Sequence, residues 1–363
     1  MILFVSGEYP PDVGGLGDYT LRLRAALTDL GWQSRVLTRR QVRRWDARSL
    51  VSLAKAASRT GIVHVQFQAG AYDLLGDVCL MPVLVRRLSP RARVVTTFHD
   101  TRAPYLFPRA GRLRQLALRL LEHTSDAVIA ADQRDLRALG GPSPRHYHVP
   151  IGPNVLSAPP SGYDRAAFRS RLGVHADTPA IVYFGLLNAS KGIDLLLDTF
   201  DRVLMRRADA RLLLLGAEVG ASDPTDRLTA ANLGPRLDRF GSHVLRTGWL
   251  APQELSAHLL AGDVAVLPYA DGASARRGSL LACAEHGLPI VSTLPAAREV
   301  ARFIQAVAAD PVDLAEAVLR VTTDPSIAAH LHAASLALAR DMSWPAIAAA
   351  HVRIYTRLLY SER

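Results

Sequence analysis

Residues 180–204 read Ala-Ile-Val-Tyr-Phe-Gly-Leu-Leu-Asn-Ala-Ser-Lys-Gly-Ile-Asp-Leu-Leu-Leu-Asp-Thr-Phe-Asp-Arg-Val-Leu. The apolar run ending at Gly185 predicts a buried strand. After Gly192, Ile193, Leu196, Leu197, Phe200, Val203 and Leu204 recur at the spacing of a helix that buries one stripe. Strand, glycine-bearing loop and helix make the unit of a parallel sheet, because parallel neighbours need a crossover. The chain opens the same way. Residues 2–6 are apolar up to Ser6-Gly7, a glycine-rich loop follows, and Tyr19, Leu23, Ala26, Leu27 and Leu30 lie at helical spacing before Gly31. Further strands are predicted at 36–37, 62–65, 94–98 and 127–130, then at 211–216, 244–247, 264–267 and 289–292. The fold class is α/β, with two doubly wound, Rossmann-like domains.

A length of 363 residues against roughly 150 per domain agrees with two domains. The boundary falls in residues 149–162, Val-Pro-Ile-Gly-Pro-Asn-Val-Leu-Ser-Ala-Pro-Pro-Ser-Gly, whose proline density marks a linker. The expected domains are residues 1–155 and 165–342, with a C-terminal helix at 345–363 packing back on the first. Two such domains joined by a hinge are expected to face each other across a ligand cleft at the carboxyl ends of their strands. A hydrophobic share of 49% with 21% charged residues excludes a disordered chain. No apolar run approaches the ~20 residues that span a bilayer. Met1–Ser6 lacks a basic leader region and reads as a strand. Two cysteines, Cys79 and Cys283, exclude a disulfide framework and a Cys-based zinc site. They fit a reducing, cytoplasmic setting.

The charge is uneven. Residues 1–150 hold 22 basic and 12 acidic residues, whereas the remainder is balanced, so the formal net charge of +10 belongs to the first half. Such asymmetry suggests an anionic partner there, with a merely Arg-rich solvated surface as the alternative. Arg35, Arg39, Arg40, Arg43, Arg44 and Arg48 form one cluster. Arg109, Arg112, Arg114 and Arg119 share a helical stretch with Leu113, Leu116, Leu118, Leu120 and Leu121, which reads either as an interfacial helix on anionic lipid or as a core-facing helix with solvated arginines. Nucleic acid is excluded as a partner, because the arginines lack interleaved aromatics and no recognition motif is present. Lys55 and Lys191 are the only lysines, which draws attention to their positions.

Four loops at predicted strand ends carry candidate chemistry. Gly14-Gly15-Leu16-Gly17-Asp18 lets backbone approach a phosphate or sugar at a helix start. It is not a dinucleotide fingerprint, since Thr20 stands where a third glycine belongs, and a tight turn alone would also use these glycines. His99 in Phe98-His99-Asp100 puts a titratable imidazole at a strand end, a place for a ligand or for a structural histidine. Gly185–Gly192 ends in Ser190, a candidate cap, and in Lys191. A cation at a helix N-terminus opposes the macrodipole, so Lys191 calls for an anion. In Asp271–Ala282 a helix starts at Gly278 or Ser279, and its first amides, beside Arg276 and Arg277, suit a diphosphate. A solvated surface loop is the alternative there.

Taken in order, these motifs resemble those of the family 4 GT-B glycosyltransferases over nearly the whole chain. Tyr9–Tyr19 is similar to the family's Gly-Gly loop, Thr97-Phe-His-Asp100 to its Thr-x-His-Asp stretch, and Phe184–Gly192 to its Lys-Gly element. Arg246-Thr-Gly-Trp-Leu250, Gly287–Ser292 and Met342-Ser-Trp-Pro345 match later landmarks. The resemblance implies a nucleotide-sugar donor held mainly by the second domain, an acceptor entering from the first, retention of configuration, and no cofactor or metal; no Asp-x-Asp occurs in the chain. It implies catalytic roles for His99, on the transferred sugar, and Lys191, on phosphate. Donor contacts are expected from Gly14, Gly15, Lys191, Gly216, Trp249, Leu250, Arg276, Arg277, Gly278, Ser279, Leu280 and Glu285. Asp18, Gln68 and Tyr72 are expected on the acceptor side. The acceptor is a glycan, a small molecule or an anionic or lipid-linked molecule, which leaves open peripheral contact with the inner face of an anionic membrane.

Two departures stand out. The family's Glu-x7-Glu pair falls on Ser274 and Ala282, and its Arg after the first glycine is Leu186. Arg276 or Arg277 would restore the charge, and Glu285, one turn beyond Ala282, the ribose contact. The rivals are a GT-B protein that binds nucleotide or a partner without catalysis, and a nucleotide-sugar epimerase.

Overall fold

A computed structural model describes the chain except residues 13–14, 39, 42–44, 73–75, 105–111, 188–190, 217–232 and 361–363 and the side chains of Ala47 and Ser58. It divides into two compact units, residues 1–152 with the segment from Met342 onward, and Pro153–Asp341.

Unit 1 is a parallel sheet of β1 (Ile2–Ser6), β2 (Ser34–Leu37), β3 (Ile62–Phe67), β4 (Arg93–Phe98), β5 (Ala127–Ala130) and β6 (His146–His148), in the order β2-β1-β3-β4-β5-β6. Its helices are α1 (Gly15–Asp29), α2 (Ala47–Ala56), α3 (Met81–Leu88), α4 (Arg112–Thr124) and α5 (Gln133–Ala138), with the C-terminal helix Trp344–Tyr360. Alternation along a strand sends successive side chains to opposite faces. Leu3, Val5, Val63 and Val65 therefore pack with Leu50, Leu53, Val85 and Leu121, while Ile2, Phe4 and Ile62 pack with Leu23, Leu27, Ile347 and Ile354. Both faces are covered, as an all-parallel sheet requires.

Unit 2 is a parallel sheet of β7 (Ala180–Phe184), β8 (Arg211–Leu215), β9 (Val244–Gly248), β10 (Val264–Leu267), β11 (Ile290–Thr293) and β12 (Gln305–Val307), in the order β12-β11-β10-β7-β8-β9. Its helices are α6 (Arg165–Arg171), α7 (Ile193–Arg206), α8 (Pro252–Ala261), α9 (Gly278–Glu285), α10 (Arg298–Ala301), α11 (Pro311–Thr323) and α12 (Pro325–Asp341). The stripe read from sequence on α7 is buried with Leu314 and Val318 of α11 against Ile181, Leu212 and Val264. Asp164 caps α6 by accepting from the Ala167 amide at 2.7 Å, and Asp310 caps α11 ahead of Pro311.

The two sheets are not wound alike. In unit 2 the first strand of the unit lies inside, with the order reversing between β7 and β10, which is the Rossmann order; in unit 1 the reversal lies between β1 and β3, the flavodoxin-like order extended by a strand. Ligands of open parallel sheets bind outside the carboxyl ends at these reversals.

Candidate functional site

The reversal in unit 2 brings the loop after β7 beside the loop after β10. Gly185 and Gly216 directly follow β7 and β8, and Gly248 ends β9, all three at positive φ. They lie side by side: the Gly185 amide donates to Leu215 O at 3.0 Å and the Gly216 amide to Gly248 O at 3.2 Å. A Cβ on Gly216 would strike Gly185 O, so the ends of three strands meet without side chains. Gly192, at φ 71°, passes so close to Pro268 O that any Cβ there would collide with it. This crossing sets the preceding residue, Lys191, beside Tyr269.

Tyr269 is the organising ring. It is buried, and its hydroxyl shares a hydrogen bond of 2.7 Å with Ser279 Oγ at the start of α9. Lys191 Nζ stands 5.5 Å from its ring centre and the Arg277 guanidinium 4.7 Å, so two cations rest on one π system. Burial, and secondarily the Arg277 charge, depress the Lys191 ammonium pKa. Two like charges held together in a half-buried place favour an anion between or beside them. Arg277 is ion-paired with Asp271, and its residue serves as the N-cap of α9 with no side-chain cap hydrogen bond. The opening amides of an α-helix have no partner within the helix, so Gly278 and Ser279 present donors beside the cations. Gly185 lies just under them, its Cβ direction 3.9 Å from Ser279 Oγ.

The other expected donor residues are spread around this centre. Arg276 is exposed, so of the twin arginines it is Arg277 that sits on the ring. Leu280 is buried. Trp249, just past β9, is 76% exposed and Leu250 is half-buried. Glu285, at the far end of α9, is half-buried, which raises its carboxyl pKa, and it accepts from the Ser157 amide. That bond ties the carboxylate to the segment before α6.

In unit 1, Gly15 opens α1 and Asp18 is exposed on its first turn, while Gly14 lies outside the described residues, as do Ser190, Arg39, Arg43, Arg44 and Arg109. Gln68 is half-buried. His99 follows β4, its amide donating to Phe67 O at 2.9 Å, and its Nε2 lies 2.8 Å from Gln66 Oε1. The Tyr19 ring meets it edge-on at 4.7 Å. Tyr72 needs correction: it is wholly buried and donates to Val5 O at 3.1 Å and Gln66 O at 2.8 Å. Its hydroxyl stitches β1 to β3 at the reversal and is not open to an acceptor. Tyr269 was missed in the sequence, although Pro268-Tyr269 directly follows a strand. Among the described residues no group of acidic, histidine or cysteine side chains could hold a metal ion, and no helix is long and apolar enough to cross a membrane.

Residues 178–324 match the family model of the glycosyl transferases of group 1. No curated protein matches the chain in sequence. Solved structures do match in fold. Anabaena HepE in complex with UDP superposes with a TM-score of 0.70 at 17% identity, over 98% of this chain and 99% of that one. Sucrose-phosphate synthase from Thermosynechococcus elongatus gives 0.67 at 20% identity, over 99% of each chain. A UDP-forming α,α-trehalose-phosphate synthase from Burkholderia xenovorans in complex with glucose-6-phosphate gives 0.64 at 14%, over 98% and 99%. The fold is that of the GT-B glycosyltransferases.

Against the pattern of GT-B glycosyltransferases of family 4, the departures expected from sequence have definite places in this chain. Leu186, at the position of the usual Arg, is 48% exposed. Ser274 is buried, and its carbonyl accepts from the Arg277 amide at 3.1 Å, while Ala282 is wholly buried on α9. The two carboxylate positions thus hold a small polar and a small apolar residue, with Arg276 and Arg277 between them in the chain.

Proposed function

We propose that the chain is a retaining glycosyltransferase that works without a metal. It moves a sugar from a nucleoside-diphosphate donor, UDP-sugars first, to a glycan, anionic or lipid-linked acceptor. The observation that carries this is the meeting of Lys191 and Arg277 on the Tyr269 ring at the start of α9. Negative charge builds on the diphosphate as the glycosidic bond breaks, and preorganised cations and amides lower the barrier by stabilising that charge. Lys191 and Arg277 take this role, with the amides of Gly278 and Ser279 fixing the diphosphate and Trp249 offering an exposed face to the base. In unit 1, Gly15 and His99 keep the diphosphate and sugar contacts that the family resemblance implies.

The UDP assignment draws support from HepE, whose structure is a complex with UDP. An anionic acceptor is supported by the excess positive charge of residues 1–150 and by the trehalose-phosphate synthase neighbour in complex with glucose-6-phosphate. A lipid-linked acceptor is supported by α4, which buries Leu118 and Leu121 and leaves Leu113 and Leu116 50% and 55% exposed beside Arg112 and Arg119. The setting that fits is the cytoplasm, with peripheral contact at the inner face of a membrane.

Thermal-shift measurements against UDP, GDP, ADP and dTDP and their sugars, followed by assay of diphosphate release, test the proposal. A rise in melting temperature with UDP and release of UDP from one of its sugars are expected. No shift with any nucleotide would reject it. A second reading, a nucleotide-binding protein without transfer, is favoured by the absence of carboxylates at Ser274 and Ala282; binding without release from any sugar would select it.

A further inference from the structure

Gln66 is a costly residue where it stands. It lies on central strand β3, wholly buried, and its Nε2 has no hydrogen-bond partner among the described residues. An unsatisfied buried amide destabilises the fold against an apolar residue of equal shape. The backbone around it is over-determined: Tyr72 donates to Gln66 O, and Gln66 is in register with Ser6 of β1 and Thr97 of β4. The side chain is therefore not needed to hold the strand. Among the described residues its side chain makes one hydrogen bond, the 2.8 Å contact from Oε1 to His99 Nε2. We infer that Gln66 is a positioning residue for His99, fixing the proton of the neutral imidazole on Nε2 and holding the ring plane, with the edge of Tyr19 as the second wall.

The chemistry is specific. A carbonyl oxygen accepts only, so the ring nitrogen facing it must carry the hydrogen, and in a neutral imidazole the other nitrogen, Nδ1, is then the acceptor. A ring free to exchange tautomers or to turn would present a hydroxyl with the wrong group part of the time. The inference rests on the reading of His99 as the group that meets the transferred sugar, and the experiment separates the two.

Nitrogen-15 histidine spectra of the ligand-free protein, with His99 assigned from a His99→Asn variant, report the tautomer directly. Turnover and melting temperature are measured on Gln66→Met, which keeps the volume and loses the acceptor, and on Gln66→Glu, which restores it. The wild type is expected to show the Nε2–H form. In Gln66→Met that form is lost, kcat falls about tenfold, in line with one lost hydrogen bond, donor KM stays within twofold, and the melting temperature is equal or higher. Gln66→Glu recovers the tautomer and moves the pH profile of kcat upward, because a carboxylate favours the imidazolium. An Nδ1–H wild type, or a Gln66→Met variant with unchanged tautomer and turnover, overturns the inference. A changed tautomer with unchanged turnover overturns the positioning role and, with it, the sugar-contact reading of His99 alone, since nucleotide binding by unit 2 is measured independently.

Discussion

The central strands of the two sheets bury different things. In unit 2, β7, β8 and β10 are apolar apart from Arg211 at the start of β8 and the Tyr183 hydroxyl, and chemistry begins past their carboxyl ends, at Gly185, Lys191, Tyr269 and Arg277. In unit 1 the polar groups lie within β3 and β4. His64, Gln66, Thr96 and Thr97 are all buried. His64 is bonded through Nδ1 to the Tyr355 hydroxyl at 2.6 Å and through Nε2 to Thr97 Oγ1 at 2.7 Å, and His351 stands beside it with ring centres 5.5 Å apart. Unit 2 keeps its buried imidazoles off the sheet: His286, its pKa lowered by burial, stands just past α9 and is bonded to Ser256 Oγ. A sheet with imidazoles inside ties its own stability, and the attachment of the C-terminal helix, to proton uptake.

The largest expected consequence is a difference in acid sensitivity. Burial holds His351 down to about 4 from 6.5 and drives His64 well below its ordinary value. Because the folded pKa lies below the unfolded one, the unfolded chain takes up the proton first as pH falls. Stability is thus complete above about pH 6.5 and is lost between there and pH 4, by ~3 kcal/mol for His351 alone. Three of the four tryptophans, Trp32, Trp45 and Trp344, are in unit 1, so with the exposed Trp249 of unit 2 replaced by Phe, fluorescence melts at pH 7.5 and 5 follow unit 1 while calorimetry follows both. Unit 1 is expected to melt first in acid. An equal loss in both units would break the comparison.

Two glycines sharpen it next. Gly192→Ala forces a Cβ into Pro268 O at φ 71° and is expected to cost about 2 kcal/mol or more and to displace Lys191. Gly15→Ala, with open space at its Cβ, is expected within about 0.5 kcal/mol of wild type. Urea unfolding of both variants checks this, and equal effects would show that the loop of unit 2 is no more constrained than that of unit 1. Smaller still is Asp271→Asn. It frees Arg277 from its ion pair and is expected to tighten UDP binding about threefold, ~0.7 kcal/mol; weaker binding would mean that Asp271 organises Arg277.

Much of the fold could be read from sequence because buried parallel strands are continuous apolar runs. β6, His-Tyr-His, and β12, Gln-Ala-Val, could not, since edge strands are short and half-buried and leave no run. The order of the unit 1 sheet was equally hidden, because pairing is decided between strands far apart in the chain. Lys191 and Arg277 stand out in the sequence through their loops, a local signal. The bond between His64 and Tyr355 joins residues 291 positions apart, and that between Gln66 and His99 joins β3 to the residue after β4; neither has a local signature. Tyr72 misled for a related reason: an aromatic after a strand end reads as a ligand contact until its hydroxyl is seen bonded inward.

The most direct test of the cation pair is a calorimetric titration of UDP, with uridine as control, into wild type, Lys191→Ala, Arg277→Ala and the double variant. If the pair holds a diphosphate, UDP affinity falls about tenfold or more in each single variant, the losses are non-additive because both cations share Tyr269, and uridine binding does not change. UDP affinity equal to wild type in the double variant would contradict it.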